Sequence, residues 1–489
     1  MSTTEQRRDV DPNEPEIVIL DTPNLGDRSY IVVLDDIAVV VDPQRDIDRF
    51  LDIIDKRGWL VSHVVETHVH NDYVSGGLEL ARLRDAEYVV PSGHDYHFEA
   101  TELSEGDHFT AGAMQWRVLH TPGHTPHHVS YALAIADKDV AVFTGGSLLY
   151  GSVGRPDLIS PAATKGLAHD QWRSVQRLVA DVATDAAVFP THGFGSFCSA
   201  TATVGLDSTI GVQAATNPAA LLDEATFVEE LIAGLDAFPA YYKHMGPANE
   251  AGARAIDLSP ADTADPEELR RRIEAGEWVV DLRQRRLWAT EHLQGSLSFD
   301  AEGNAITYLG WLIPWGTPIT LLGATQEQIT EFQRDMARIG IDRPAGQNVG
   351  DPVRWSRGPG DLGQVTRTDF AGLAAAMAAD PKLLVVDARR RTEWQDGHVA
   401  GARHIALHEF PARLGEVAAW SQAAAHAGAD PTVWISCGSG FRAAAGASLL
   451  ARAGVPVVIV DADFATAAAA GLPIVVDEHE TMLGAAYAD

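Results

Sequence analysis

The sequence predicts an α/β protein built from three units. In the first half, short apolar runs alternate with longer amphipathic stretches. In the second half, an eighteen-residue pattern occurs twice. The length of 489 residues agrees, because domains average about 150 residues.

The runs YIVVL, IAVVVD, HVVETH, EYVVPSG, WRVLHTPGH, VAVFTGG and AAVFPTHG are bounded by turn residues and read as strands. DIDRFLDIIDKRG and HDQWRSVQRLVADV read as the helices between them, and residues from Asn217 to Ala253 as trailing helix and loop. Polar residues gather at the strand ends, where open sheets place their sites. In the second half, VVDLRQRRLWATEHLQGS from Val279 aligns without a gap on VVDARRRTEWQDGHVAGA from Val385. The copies share Arg283 with Arg389, Trp288 with Trp394, His292 with His398 and Gly295 with Gly401, which predicts a tandem duplication. The Gly- and Pro-rich stretch from Arg343 to Gly363 reads as a linker. The expected division is therefore 1–253, 254–345, a linker over 346–364, and 365–489.

Composition excludes several classes. Asp and Glu number 68 against 37 Lys and Arg, a formal charge of −31. That field repels nucleic acid and anionic membrane. Only five of the basic residues are Lys, which with the Ala-rich segments reads as a composition bias. Two cysteines, Cys198 and Cys437, make no disulfide framework and suggest a reducing compartment. The polar N-terminus has no apolar core of signal-peptide length, and no apolar run reaches membrane-spanning length. A cytoplasmic protein is expected, with homo-oligomerisation left open.

The strongest chemical signal is VVETHVHNDYVSGG, which delivers His68, His70 and Asp72 on a turn before a helix. Alternate positions at a strand end point two imidazoles and a carboxylate to one side, an arrangement that suits a metal. His124 in TPGHT and His192 in PTHG each end a further apolar run.

With these motifs, residues 15–250 resemble the metallo-β-lactamase superfamily, nearest its glyoxalase II and persulfide dioxygenase branches. The resemblance implies an αββα sandwich. It places His68, His70 and His124 at a first metal site and Asp72 and His192 at a second. Two positions depart from the family: Tyr73 stands where a His is usual, and Gly146 replaces the Asp that touches the metal. A binuclear hydrolase is therefore disfavoured, and the dioxygenase triad is incomplete. A three-imidazole site, recruitment of Asp72, or no metal remain as alternatives; three imidazoles suit ferrous iron or zinc. One Fe2+ is the expected cofactor. Tyr73 is a hydrogen-bonding neighbour or filler. Arg155 and Asp157 match the dioxygenase branch's loop, so Arg155 either binds an anionic thiol substrate or clips the loop to Asp157. Cys198 is a buried apolar group or lies near the site's opening.

In VWISCGSGFRAAAGASLLARAG, Cys437 sits between a strand end and a helix start. Backbone N–H groups and the positive end of the helix dipole stabilise anionic sulfur there. Gly438 and Gly440 permit the curled backbone, Ser439 completes the substrate-binding loop, and Arg442 braces it or binds an anion. Residues 365–478 resemble rhodanese sulfurtransferases through VVDAR, GHVAGARHI, CGSGFR and AAGLPI, which implies a persulfide on Cys437. The first copy places Gly323 opposite Cys437 and Gln328 opposite Arg442 and is expected to be inactive. The fold expected for the whole chain is thus the metallo-β-lactamase sandwich followed by two rhodanese-like α/β domains with parallel sheets.

The combination implies sulfide and persulfide metabolism: oxidation of a low-molecular-weight persulfide such as that of glutathione to sulfite, and sulfur transfer through Cys437. Thiols, persulfides, thiosulfate and sulfite are the expected partners. The alternatives are a zinc-dependent thioester hydrolase carrying a rhodanese domain, and a rhodanese with a metal-poor first domain.

Overall fold

A computed structural model describes residues 14–203, 205–301 and 303–476. The N-terminal stretch read for a signal peptide lies outside the described residues up to residue 13, as does the end of the last expected domain, 477–489. The chain forms two compact units. One comprises Met1–Asp257 with the short segment Met336–Gly340; the other comprises Leu258–Asp335 and Ile341–Leu483 and holds both copies of the repeat.

The first unit contains two sheets. Strands β1 (Glu16–Thr22), β2 (Asp27–Leu34), β3 (Ile37–Val41), β4 (Leu60–Val65), β5 (Glu87–Pro91) and β6 (Thr101–Leu103) lie in chain order. The second sheet runs β11 (Ala187–Pro190), β10 (Lys138–Gly145), β9 (Val129–Ile135), β8 (Met114–His120), β7 (His108–Ala111). Alternation along the strands sorts the side chains. Tyr30, Val32, Val39, Val41, Trp116, Tyr131 and Phe143 fill the space between the sheets. Ile31, Val33, Val40 and Val64 face outward onto Phe50 and Ile54 of the helix Asp48–Arg57. On the far side, Val142 and Val188 meet Val175 and Leu178 of the helix Pro161–Asp181. That helix starts where Ser160 accepts from the Ala163 N–H and Pro161 takes the first position. The result is the αββα sandwich. The ends of β4, β8, β10 and β11 are followed by His68, His124, Gly146 and His192 respectively.

The second unit contains two parallel sheets of matching order. One runs Leu297–Ser298, Trp278–Asp281, Ile319–Gly323, Gly346–Val349. The other runs Arg403–His404, Leu384–Asp387, Val433–Ser436, Val457–Val460, Thr366–Thr368. The residues shared by the two sequence copies have the same jobs. Arg283 clasps Asp281 and Arg389 clasps Asp387, each at 2.7 Å. Trp288 stacks on His292 at 3.9 Å and Trp394 on His398 at 3.4 Å.

The expected linker over 346–364 is corrected. Gly346–Val349 pairs with Ile319–Gly323 as a sheet strand, and Leu362–Gly363 pairs with His292–Leu293. Gly and Pro punctuate this stretch locally, but strand pairing and Trp355 decide its fate. Trp355 is fully buried in a cluster with Leu269, Val279 and Leu322, and the Arg283 guanidinium lies over its ring. Trp355→Ala is expected to destabilise the second unit by about 3–5 kcal/mol, measured by denaturant unfolding, whereas a true linker tryptophan would cost little.

Candidate functional site

Three buried imidazoles, His68, His124 and His192, bring one nitrogen each within 4.8 Å of the others. Their outward nitrogens are all engaged. His68 Nδ1 lies 2.9 Å from Thr67 Oγ1, His124 Nδ1 lies 2.9 Å from the Arg155 carbonyl, and His192 Nδ1 lies 2.9 Å from Asp27. The Nε2 atoms are left facing inward: those of His68 and His192 are 3.2 Å apart, and that of His124 is buried without a hydrogen-bond partner. This is the arrangement of metal-ligating histidines, each oriented by a neighbour on its other nitrogen. Burial lowers the pKa of His68 and takes that of His124 down to about 3, so both imidazoles are neutral, the form a metal would require. At His192 burial also opposes the charge, but Asp72 and Asp27 outweigh it and raise the pKa to about 10.

The expected ligands fall into overlapping groups. His70, assigned with His68 and His124, places its Nε2 at 3.1 Å from Glu66, 3.0 Å from the Tyr73 hydroxyl and 3.4 Å from Asp42, while its Nδ1 is buried without a hydrogen-bond partner and its ring lies 4.1 Å from that of His68. Burial lowers its pKa, but the two carboxylates prevail and lift it to about 9. His192, assigned to a second site with Asp72, instead faces both groups: it joins His68 and His124, and also His70 and Asp72. Asp72 lies 3.2 Å from His192 Nδ1, with its Oδ1 buried and unpartnered. Tyr73 is a hydrogen-bonding neighbour. Its ring stacks on His70 at 4.3 Å and its hydroxyl donates to the Asp42 carbonyl.

The missing carboxylate has a steric counterpart. A Cβ on Gly146 would lie 2.3 Å from His124 Cδ2, and one on Gly154 would lie 2.7 Å from His124 Nδ1. The His124 ring thus sits in a cradle between two glycines. Gly146→Asp is expected to displace His124 rather than add a ligand. Metal retained after dialysis should fall below that of the parent, and a rise would contradict the steric reading.

At the second constellation, Cys437 follows the strand Val433–Ser436 and precedes the helix Phe441–Arg452. Cys437 is buried, and the Gly440 N–H donates to its Sγ at 3.1 Å. Gly440 has φ +97°, in the left-handed region open to glycine. A Cβ on Gly438 would lie 2.8 Å from Arg442. Arg442 is held by Glu393 through two bonds of 2.5 and 2.7 Å, so it braces the loop. In the first copy, Gly323 ends the corresponding strand, and Gln328 bonds the Ala324 N–H and the Leu282 carbonyl.

Comparison with known proteins assigns both regions. Residues 25–192 match the model of the metallo-beta-lactamase superfamily, and residues 371–468 match that of the rhodanese-like domain. The chain carries a metallo-β-lactamase domain and a C-terminal rhodanese domain. The chain is similar to hydroxyacylglutathione hydrolases of Methylococcus capsulatus (32% identical over 182 residues, 36% of this chain) and Brucella anthropi (30% over 184 residues, 35% of this chain). It spans 66% of the length of each of these relatives. A solved metallo-beta-lactamase from Staphylococcus aureus subsp. aureus COL superposes with a TM-score of 0.63 at 25% identity, covering 69% of this chain and all of that one.

In the metallo-β-lactamase domain, Arg155 forms the loop clip. It is buried and clipped to Asp157 at 2.7 and 2.8 Å, with Phe238 4.9 Å from its guanidinium. Cys198 is fully buried, and burial with Asp72 and Asp27 nearby pushes its thiol pKa well up, so it is a neutral group and not an exposed sulfur carrier. Sequence reasoning missed Asp27, which orients His192. It also missed His128, which accepts from the Gly146 N–H at 2.9 Å and stacks on His68 at 4.8 Å.

In the rhodanese domain the missed residue is Glu393. A signal existed: the aligned position of the first copy is Leu287, so the acid disappears together with the thiol and the arginine. Burial raises the Glu393 pKa, but the Arg442 guanidinium dominates and takes it down to about 2. A depressed carboxyl contributes its stability above the ordinary value of 4.5 and loses it as pH falls toward 2. The stability gap between the parent and Glu393→Gln is expected to be about 2 kcal/mol at neutral pH and to close over that window, as measured by urea unfolding across pH.

Proposed function

We propose that the protein acts in sulfide and persulfide metabolism, oxidising a low-molecular-weight persulfide to sulfite at the histidine centre and transferring sulfane sulfur through Cys437. The observation that carries the first half is the convergence of three oriented imidazoles while Tyr73, standing where the resembled family has a further His, bonds to His70 and to the Asp42 carbonyl. His68, His124 and His192 would hold one ferrous ion, whose chemistry is the transfer of electrons to O2. The protein's own part is to keep His68 and His124 neutral, to fix all three rings through Thr67, the Arg155 carbonyl and Asp27, and to bury the centre. The balanced reaction is RSSH + O2 + H2O → RSH + H2SO3.

At the second site, the Cys437 thiolate attacks the outer sulfur of thiosulfate. The new S–S bond forms as the S–SO3 bond breaks, and sulfite leaves with the electron pair. An acceptor thiolate or cyanide then takes the outer sulfur and frees Cys437. The Gly440 N–H lies on the attacking sulfur, while Arg442 is committed to Glu393.

A zinc-dependent thioester hydrolase is the second reading, supported by similarity to proteins named hydroxyacylglutathione hydrolases. O2 uptake and sulfite formation from glutathione persulfide after iron loading, set beside thioester hydrolysis after zinc loading, separate the two. Absence of O2 uptake in the iron-loaded protein would overturn the dioxygenase reading while leaving Cys437 untouched.

A further inference from the structure

The first copy of the repeat has no thiol at Gly323, yet its side chains reach the Cys437 loop. Arg285 begins the helix Arg285–Thr290 in that copy. Its Nη2 donates to the Ser439 carbonyl at 3.2 Å and its Nε to Asp461 at 2.9 Å, while Asp300 of its own copy accepts from its Nη1 at 3.4 Å. Ser439 C=O and Gly440 N–H belong to one peptide group. That group is planar and trans, so its oxygen and hydrogen point in opposite directions. The hydrogen end is the one that meets Cys437 Sγ at 3.1 Å. Fixing the oxygen therefore aims the N–H at the sulfur.

The clamp has a floor. Asp461, at the end of the strand Val457–Val460, accepts from Arg285 and also from Arg286 and Arg367, each at 2.9 Å. A Cβ on Gly440 would lie 2.1 Å from Asp461 Oδ1 and 3.1 Å from Arg285 Nε. The loop rests directly on the Arg285–Asp461 pair, and only a glycine fits there. Tyr308 of the first copy packs against Phe441, the residue after Gly440, with ring centroids 5.7 Å apart and the rings tilted by 45°. The charged and titratable groups around the sulfur are thus Arg442, Glu393 and Asp461 of its own copy, and Arg285 and Tyr308 of the other.

We propose that the first copy is the positioning half of the sulfur site: Arg285 holds the Ser439–Gly440 peptide so that its N–H stays on the Cys437 sulfur. The proposal rests on the sulfurtransferase reading of Cys437 for its purpose, though not for its test. Arg285 is a positioning residue, since it touches the loop and not the sulfur.

The test uses the full chain. Alkylation of Cys437 by iodoacetamide is followed across pH by peptide mass spectrometry, which separates it from Cys198, alongside thiocyanate formation from thiosulfate and cyanide. Losing one hydrogen bond to anionic sulfur is expected to slow Cys437 alkylation about tenfold near neutral pH in Arg285→Ala and to move its pH profile upward by about one unit. Arg286→Ala removes a partner of the same carboxylate but none of the loop, and should keep the parental profile. Arg285→Lys retains charge beside Asp461 but lacks the fork that also reaches Ser439; it should show the same shift at the parental melting temperature, and decides the matter if the alanine variant melts early. A parental alkylation profile in a folded Arg285 variant would overturn the proposal. A parent that shifts as expected on mutation yet forms no thiocyanate would instead overturn the sulfurtransferase reading.

Discussion

Cys437→Ser is expected to abolish cyanide-dependent thiocyanate formation by the full chain, a loss of at least about a thousandfold. A hydroxyl is a far poorer nucleophile than a thiolate and cannot form a persulfide. The remaining loop contacts do not involve the sulfur. Glu393 still holds Arg442, Arg285 still holds the Ser439 carbonyl, and Gly440 keeps its left-handed backbone. Melting should therefore stay near that of the parent, so lost activity reports chemistry and not unfolding. Retained thiocyanate formation would remove Cys437 from the mechanism.

His124→Ala should have the largest effect at the other centre. Its Nε2 is the buried nitrogen left without a partner, and its ring is gripped by Gly146, Gly154 and the Arg155 carbonyl. Removing it leaves two imidazoles where three converge, and metal affinity should drop by more than about a hundredfold. Asp27→Asn provides the graded comparison. It keeps all three ligands but weakens the orientation of His192, a change of the kind that costs about 10–100-fold in affinity. Competition with a chelator of known affinity measures both, and equal affinities across parent and variants would place the metal elsewhere.

Much of this was legible in the residues. YIVVL, IAVVV, WRVL and VAVF became strands because short continuous apolar runs suit strands buried on both faces, one between the sheets and one under the helices. The repeated pattern was legible because Arg283 and Arg389, Trp288 and Trp394, and His292 and His398 make matching local contacts. The rest depends on partners far apart in the chain. The engagement of His70 Nε2 depends on Asp42, just after β3, and on the Tyr73 hydroxyl, neither of which marks itself as a metal-site residue. Asp27 lies 165 positions from the histidine it orients. The mistaken linker arose because Gly and Pro speak for local conformation, while the pairing of Gly346–Val349 is decided by Ile319–Gly323.

A single metal held by three imidazoles is proposed for a chain that also carries Cys437 in a rhodanese domain. Elemental analysis of the freshly purified full chain, with parent and His124→Ala side by side, tests it most directly. About one equivalent of iron per parent chain and almost none in the variant is expected. Two equivalents of zinc per parent chain, or equal metal content in parent and variant, would contradict it.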